Sequence, residues 1–381
     1  MADSVHPALP HLFEILKIIE GGVNLDRTRV RAFSEQLATK LEAEGDSRTA
    51  DRLRRVIASA RTRDLSPARL SPADRLPVDS ESRLALADEA VIAPGEAEVV
   101  LGAEPDSIVQ EFLRFVQSAD KLTRHGVGIA PSMLIYGPPG CGKTELGRFV
   151  AQQLGLPLLI GRTDSLISSF LGSTAKNLRA LFEHASSRPC VLFLDEFDAV
   201  AKVRDDQHEV GELKRVVVSL LQNIDALDNK TILLAATNHE HLLDLAVWRR
   251  FAFKVHLERP DASTRARLLS RFLGAFASDE LVDAMAQVAE GLTGAEIRQV
   301  CEGAKRAAIL ADSDQVNQGD ALRRVLRLRS PSTMDSHKPL SERLKQARAL
   351  APDALTYRRL AEAFDVSLGH VSNLLRDGGS H

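Results

Sequence analysis

Cysteine is scarce in this chain: Cys141, Cys190 and Cys301 are the only three in 381 residues. They are too few and too scattered for a disulfide framework or a CxxC metal site, and they predict a reducing cytoplasmic compartment. Aromatic residues amount to 4%, with a single Trp, which argues against a surface that stacks single-stranded bases on many aromatic platforms. Long apolar runs are missing too. Stretches such as Val191 to Leu194 and Ile232 to Ala236 fall far short of the ~18 residues of a membrane helix, and the N-terminus has no basic-then-apolar signal pattern. A soluble intracellular protein with no membrane partner is expected. Neither sign of charge dominates: 49 basic against 52 acidic residues give a net charge of −3, which excludes a surface built wholly for nucleic acid and leaves room only for local basic patches. There is also no evident protease nucleophile, zinc motif or nuclease carboxylate cluster.

What is present is ample apolar material, 44% of the chain, enough for two or three domains. Residues 1–64 read as a helical module. Leu12, Phe13, Leu16 and Ile19 share one helical face before Gly21-Gly22, and Val30, Phe33, Leu37 and Leu41 repeat the spacing up to Gly45. A third helix from Ala50, capped by Asp46 or Ser47, carries Leu53, Val56 and Ile57. Pro67, Pro72 and Pro77 amid Ser, Asp and Arg mark a linker, assigned to 65–104. Over 105–260, short apolar strands at Met133–Tyr136, Leu158–Ile160, Cys190–Leu194, Ile232–Ala236 and Phe253–Leu257 alternate with helical spacing. That pattern predicts an α/β fold with a parallel sheet covered on both faces. Residues 261–329 read as a helical subdomain, 330–339 as a linker, and 340–381 as a last helical module.

The chemistry is concentrated after the first of those strands. Gly137-Pro138-Pro139-Gly140-Cys141-Gly142-Lys143-Thr144 matches GxxxxGK[ST] between a strand and a helix, the context that makes the motif meaningful. Its backbone N–H groups would wrap phosphates at a helix N-terminus, Lys143 would face the β and γ phosphates, and the Thr144 hydroxyl would ligate Mg²⁺. Cys141 reads as a variable loop position, since no second thiol accompanies it. The buried strand ending in Asp195-Glu196 adds a Mg²⁺ carboxylate, Asp195, and a base for the attacking water, Glu196. Thr237-Asn238 closes a third strand and would set the Asn238 amide beside the same water. Phosphate loop and carboxylates together predict hydrolysis of a nucleoside triphosphate.

These motifs, in this order over roughly 105–310, resemble the AAA+ ATPases, and within them the AAA proteins in the strict sense. The resemblance implies ATP and Mg²⁺ as cofactors, a P-loop sheet with a helical lid, and Asn238 as the first sensor. Leu243 to Phe251 is similar to the arginine-finger segment, which in that family reaches the nucleotide of a neighbouring subunit. A homo-oligomeric ring, usually a hexamer, follows. The Arg-Arg-Phe here is compressed relative to many members, so either Arg249 or Arg250 is the finger. Gly291 to Ile297 is similar to the lid motif that places Gly294 and Ala295 near the adenine, while Arg298 is displaced from the usual lid arginine. Ser169-Phe170-Leu171-Gly172 resembles the aromatic-hydrophobic-glycine pore loop, with Phe170, Leu171 and Gly172 gripping a polypeptide.

The C-terminal module resembles the helix-turn-helix of bacterial regulators. Leu360, Ala361, Phe364, Val366, Val371 and Leu374 have the spacing, and Asp365 stands at the turn where glycine is commoner. From Ala321 onward, eleven Arg and Lys face six Asp and Glu. Arg358, Arg359 and Arg376 would meet phosphates of duplex DNA, with His370 and Asn373 at base edges. A three-helix docking module fits the same pattern. Two functions follow: a ring that remodels or unfolds a polypeptide, with a separate protease or effector supplying any final chemistry, or a DNA-bound ATPase switch that recruits or loads a partner.

Overall fold

The computed structural model describes residues 76–79, 82–126, 130–167, 171–201, 210–227 and 230–376, together with scattered residues between 34 and 54. The chain divides into two compact units, Met1–Arg75 and Leu76–His381. In the first, 37–43 is helical, Leu37, Ala38 and Ala50 are buried, and the Asp46 carboxylate accepts the Thr49 N–H at 3.1 Å, a local cap as expected. The helix expected around Leu12 to Ile19, and Leu53, Val56 and Ile57, lie outside the described residues.

The second unit is built on a six-stranded sheet. Its strands are β1 (Ala87–Ala90), β2 (Ser132–Tyr136), β3 (Leu158–Gly161), β4 (Cys190–Leu194), β5 (Thr231–Thr237) and β6 (Phe253–His256), in the spatial order β1-β3-β4-β5-β2-β6. All pairings are parallel except β1 with β3. Alternate residues feed two different cores, which is why the strands read as continuous apolar runs. Leu134, Leu192 and Leu233 face one side, Met133, Val191 and Ile232 the other. The second core is closed by Val109 and Phe112 of α1 (Ala103–Gln117), with α2 (Ala119–Arg124) following, and by Leu146 and Val150 of α3 (Lys143–Leu154). After the one-turn α4 (Thr163–Leu166), the first core is closed by Leu178 and Leu181 of α5 (Leu171–Ser186), by the short α6 (Asp198–Ala201), and by Leu220 of α7 (Val210–Asp225).

The stretch expected to be linker up to residue 104 is instead part of this unit from Leu76. β1 adds an antiparallel edge, Ile92, Ala97 and Leu101 join the core, and buried Asp79 accepts the Asn177 amide at 3.0 Å. An edge strand reading Ala-Asp-Glu-Ala carries little of the apolar signature of a buried strand, so its composition resembled a connector.

Past the one-turn α8 (Leu245–Trp248) and β6, the chain becomes helical. α9 (Ala262–Leu273), α10 (Asp279–Val288), α11 (Gly294–Leu310) and α12 (Gln318–Arg329) each begin at a side-chain cap, Asp261, Ser278, Thr293 and Asn317 in turn. At α11 the Glu296 carboxylate reciprocates, accepting the Thr293 N–H at 2.7 Å to complete a capping box.

The expected linker at 330–339 and separate module at 340–381 also differ from the structure. Pro331–Met334 forms a 3₁₀ turn with Thr333 fully buried, and α13 (Leu340–Leu350), α14 (Tyr357–Phe364) and α15 (Leu368–Arg376) share one hydrophobic core with the lid helices. Leu344, Leu355, Leu360 and Val371 pack in the same cluster as Leu322 and Val325. Arg329 reinforces the join, donating to the carbonyls of Val288 at 3.0 Å and Leu350 at 3.3 Å. Pro and Ser made 330–339 look like a spacer because these anchoring contacts are all long-range.

Gly319 allows the closest of these approaches. A Cβ there would lie 2.4 Å from the carbonyl oxygen of Glu362 in α14. Gly319→Ala should therefore separate α12 from α14 and lower unfolding free energy by about 1–3 kcal/mol, measured by urea titration. An unchanged midpoint would mean that α14 does not dock on the lid.

Candidate active site

The loops that leave β2, β4 and β5 all emerge at the carboxyl edge of the parallel sheet, where such sheets bind ligands. The loop after β2 turns at Gly137 with φ +135°, and a Cβ there would stand 2.1 Å from the Leu257 carbonyl oxygen, so only glycine fits. The chain then wraps through Pro138, Pro139, Gly140, Cys141 and Gly142 into the N-terminus of α3, where unpaired N–H groups favour an anion. Lys143 is buried at that helix start. Its Nζ donates to the carbonyls of Gly137 at 2.7 Å and Pro138 at 2.8 Å, and burial holds its pKa below the ordinary lysine value. A phosphate anion beside it would offset that desolvation.

Strand β4 delivers the carboxylates. Thr144 Oγ1 donates to Asp195 Oδ2 at 2.7 Å, which joins the phosphate loop to the end of a strand 51 residues away. The Asp195 carbonyl accepts the Thr163 hydroxyl at 2.9 Å, and Asp195 Oδ1 accepts the backbone N–H of Glu196 at 2.9 Å. Glu196 is exposed to the cleft in a left-handed conformation, φ +49°, costing about 1 kcal/mol or more for a residue with a Cβ. From β5, Asn238 lines the same cleft, and its buried Oδ1 has no hydrogen-bond partner among the described residues. Thr237 beside it donates to Asp198 Oδ1 at 2.7 Å and accepts the His239 N–H at 2.9 Å, which steadies the turn.

The lid closes over this edge. Ala295 donates its N–H to the Gly140 carbonyl at 3.0 Å, and Gly294 lies against the same oxygen. The result is a cleft of about 1460 Å³ that gathers Gly140, Cys141, Lys143, Thr144, Asp195, Glu196, Asn238, Gly294 and Ala295. Burial raises the Cys141 thiol pKa above its ordinary value. Arg298 also lines the cleft, but its guanidinium is engaged by Glu302 at 2.7 Å. Thr163 and Arg259 are cleft residues that motif reading missed. Thr163 follows the carboxyl end of β3, so counting strand ends would have found it.

The residues fit MgATP. The glycine-walled anion cradle, the buried cation and the orphaned Asn238 amide oxygen suit a polyphosphate and its water. A hydroxyl beside a carboxylate is the hard-oxygen donor pair that Mg²⁺ takes when phosphates supply further ligands.

The other sequence-predicted residues lie elsewhere. Arg249 and Arg250 are exposed, just after α8, and neither lines the cleft. Arg250 makes a two-pronged ion pair with Asp225, at 2.7 and 3.1 Å. Phe170 falls outside the described residues, while Leu171 and Gly172 open α5. In the C-terminal segment, Asp365 takes the left-handed conformation, φ +55°, between α14 and α15, and His370, Asn373 and Arg376 are exposed. Arg358 is exposed beside Glu362 at 3.4 Å. Arg359 is committed inward, bound to Glu280 at 2.7 Å and to the Ala354 carbonyl at 3.1 Å.

A phosphate loop, a strand-end carboxylate pair and a capping helical lid define a P-loop nucleotide hydrolase. A family model described as "ATPase family associated with various cellular activities (AAA)" matches residues 133–259. The chain is 40% identical over 298 residues to the uncharacterized AAA family ATPase y4kL of Sinorhizobium fredii, covering 76% of this chain and 87% of that protein. This chain belongs to the AAA family of ATPases. It is also 34% identical over 240 residues to a chloroplastic ATP-dependent zinc metalloprotease FTSH of Capsicum annuum, covering 60% of this chain and 36% of the relative. To the 26S proteasome regulatory subunit 10B homolog A of Arabidopsis thaliana it is 32% identical over 221 residues, 55% of each. The chain thus spans about a third of the metalloprotease and about half of the proteasome subunit. Among the described residues no helix is long and apolar enough to cross a membrane.

Lys143→Ala should abolish ATP binding, because the phosphates lose their buried cation, whereas Glu196→Gln should bind ATP normally and lose turnover. Calorimetric titration of both variants checks this, and undiminished affinity in the Lys143 variant would contradict the assignment.

Proposed function

We propose that this ATPase works as a homo-oligomeric ring, usually a hexamer, that hydrolyses MgATP at subunit boundaries to remodel or unfold a polypeptide in the cytoplasm. The observation that carries the reading is the position of Arg249 and Arg250. Both are exposed and outside the cleft of their own chain, so a neighbouring copy is the natural recipient. MgATP, when bound, supplies the anhydride that water cleaves. Lys143 and the loop N–H groups hold the phosphates, and Thr144 with Asp195 holds Mg²⁺. Glu196 accepts the proton of the attacking water, and the Asn238 amide orients that water. An arginine from the next subunit stabilises the charge that grows in the transition state. The relatives named as a metalloprotease and a proteasome subunit support a polypeptide substrate, gripped by the Phe170, Leu171 and Gly172 segment, with a separate protease or effector completing the work.

Arg249→Ala and Arg250→Ala should leave ATP affinity near normal, and loss of the finger among them should lower kcat by about 10³-fold or more. Mixing that variant with Glu196→Gln should restore activity at interfaces that combine an intact Glu196 with an intact arginine. No recovery, with full ATPase in a monomer, would overturn the shared site. Phe170→Ala should retain ATPase and lose polypeptide processing.

A second reading, a DNA-bound switch, is favoured by the left-handed turn at Asp365 and by the exposed His370, Asn373 and Arg376 on α15. If Arg358 and Arg376 meet DNA phosphates, affinity should fall with salt at a log–log slope of about −0.9 per phosphate. Fluorescence anisotropy of the full chain and of Arg376→Ala tests it: the variant should flatten the slope by about one unit. Absence of binding even at low salt would leave α14 and α15 as a docking surface or a purely structural extension of the lid.

A further inference from the structure

The arginine pair follows a helix of only four residues, too short to hold its own orientation. Its placement comes from what it leans on. Trp248, the sole tryptophan, meets the Tyr136 ring edge-on at a centroid distance of 5.2 Å. Tyr136 is the last residue of β2 and the one immediately before Gly137 of the phosphate loop. Its other partner is His256, stacked at 4.7 Å with the planes 4° apart, and both Tyr136 and His256 line the nucleotide cleft. On the far side of the arginines, Phe251 packs edge-on against Phe197 at 5.6 Å, and Phe197 directly follows Glu196. Ser132, at the start of β2, ties down the backbone between them. Its hydroxyl donates to the Arg250 carbonyl and accepts the Ala252 N–H, each at 3.1 Å.

The segment 248–252 is thus clamped between residues adjacent to two nucleotide-binding motifs of its own chain. The buried Phe251–Phe197 contact and the Ser132 bonds act as a fixed pivot. The half-buried Trp248 leans on a ring whose own backbone carbonyl accepts the Leu257 N–H at 2.8 Å and leads directly into Gly137 of the phosphate loop.

We infer that Trp248 is a positioning residue: through Tyr136 it ties the placement of Arg249 and Arg250, offered to the neighbouring subunit, to the nucleotide state of its own phosphate loop. This rests on the ring reading above. It makes Trp248 act on two sites in different ways, sensing in its own subunit and positioning for the next.

Two measurements test it. With wild-type ring, Trp248 emission should change on saturation with ADP or a non-hydrolysable ATP analogue, and Tyr136→Leu, saturated at whatever affinity calorimetry gives for it, should lose that change. Unaltered wild-type emission overturns the coupling, as does a full response in Tyr136→Leu. For turnover, Trp248→Ala should lower kcat about 10²-fold, the scale of an ångström-sized misplacement, with KM and nucleotide affinity preserved. Trp248→Phe, which keeps an aromatic contact, should recover most of the rate. Mixing Trp248→Ala with Glu196→Gln should restore activity, because the defect lies in what Trp248→Ala offers its neighbour. Arginine variants mixed with Glu196→Gln serve as the control. If those recover and Trp248→Ala mixtures do not, the positioning role falls alone. If the arginine mixtures fail as well, the ring reading and this inference fall together.

Discussion

The hydrogen bond from Thr144 to Asp195 holds together the parts of the molecule that matter most. It links the end of the phosphate loop to the end of β4, although β5 lies between β2 and β4 in the sheet. Three adjacent parallel strands must therefore end at one level for the cation, hydroxyl and carboxylate to meet. That alignment depends on a sheet buried on both faces, where a slipped register would move every side chain to the wrong core. The two cores that hold Leu134 on one side and Met133 on the other thus also set the geometry of the carboxyl edge of the sheet.

The lid depends on the same edge but is stabilised separately. Ala295 reaches the loop through a single backbone bond to Gly140, while the bulk of the lid packs away from the sheet in a core of its own. That arrangement lets the cleft be closed by a firmly folded body with a small contact at the loop. The C-terminal helices belong to that body. α13 to α15 complete a core that α9 to α12 would otherwise leave open, and Arg329 stitches the halves through backbone carbonyls.

Charge placement separates two kinds of cation in this chain. Lys143 is buried and satisfied by the carbonyls of its own loop, so it serves its own site. Arg249 and Arg250 stand on the surface, with Arg250 engaged by Asp225. An exposed ion pair of this kind adds little stability, so Asp225 can yield Arg250 at small cost. Arg359 shows the opposite outcome: a residue that looked free on a helix face is spent on Glu280 and Ala354, and its contribution is to the fold.

Much of this was legible in the linear chain because it is local. The glycine spacing before Lys143 and Thr144, the Asp195-Glu196 pair ending an apolar strand, and the cap at Asp46 are each set by residues close in sequence. The strand at Cys190–Leu194 carries its identity in five consecutive apolar residues. Tertiary structure decided the rest. β1 takes its meaning only from pairing with β3, and 330–339 from a buried Thr333. The stack of Trp248, Tyr136 and His256 joins residues separated by more than a hundred positions. Local propensity and periodicity report what a segment can become, whereas partners brought together by burial of distant apolar faces determine which polar groups are spent on the fold and which remain for chemistry.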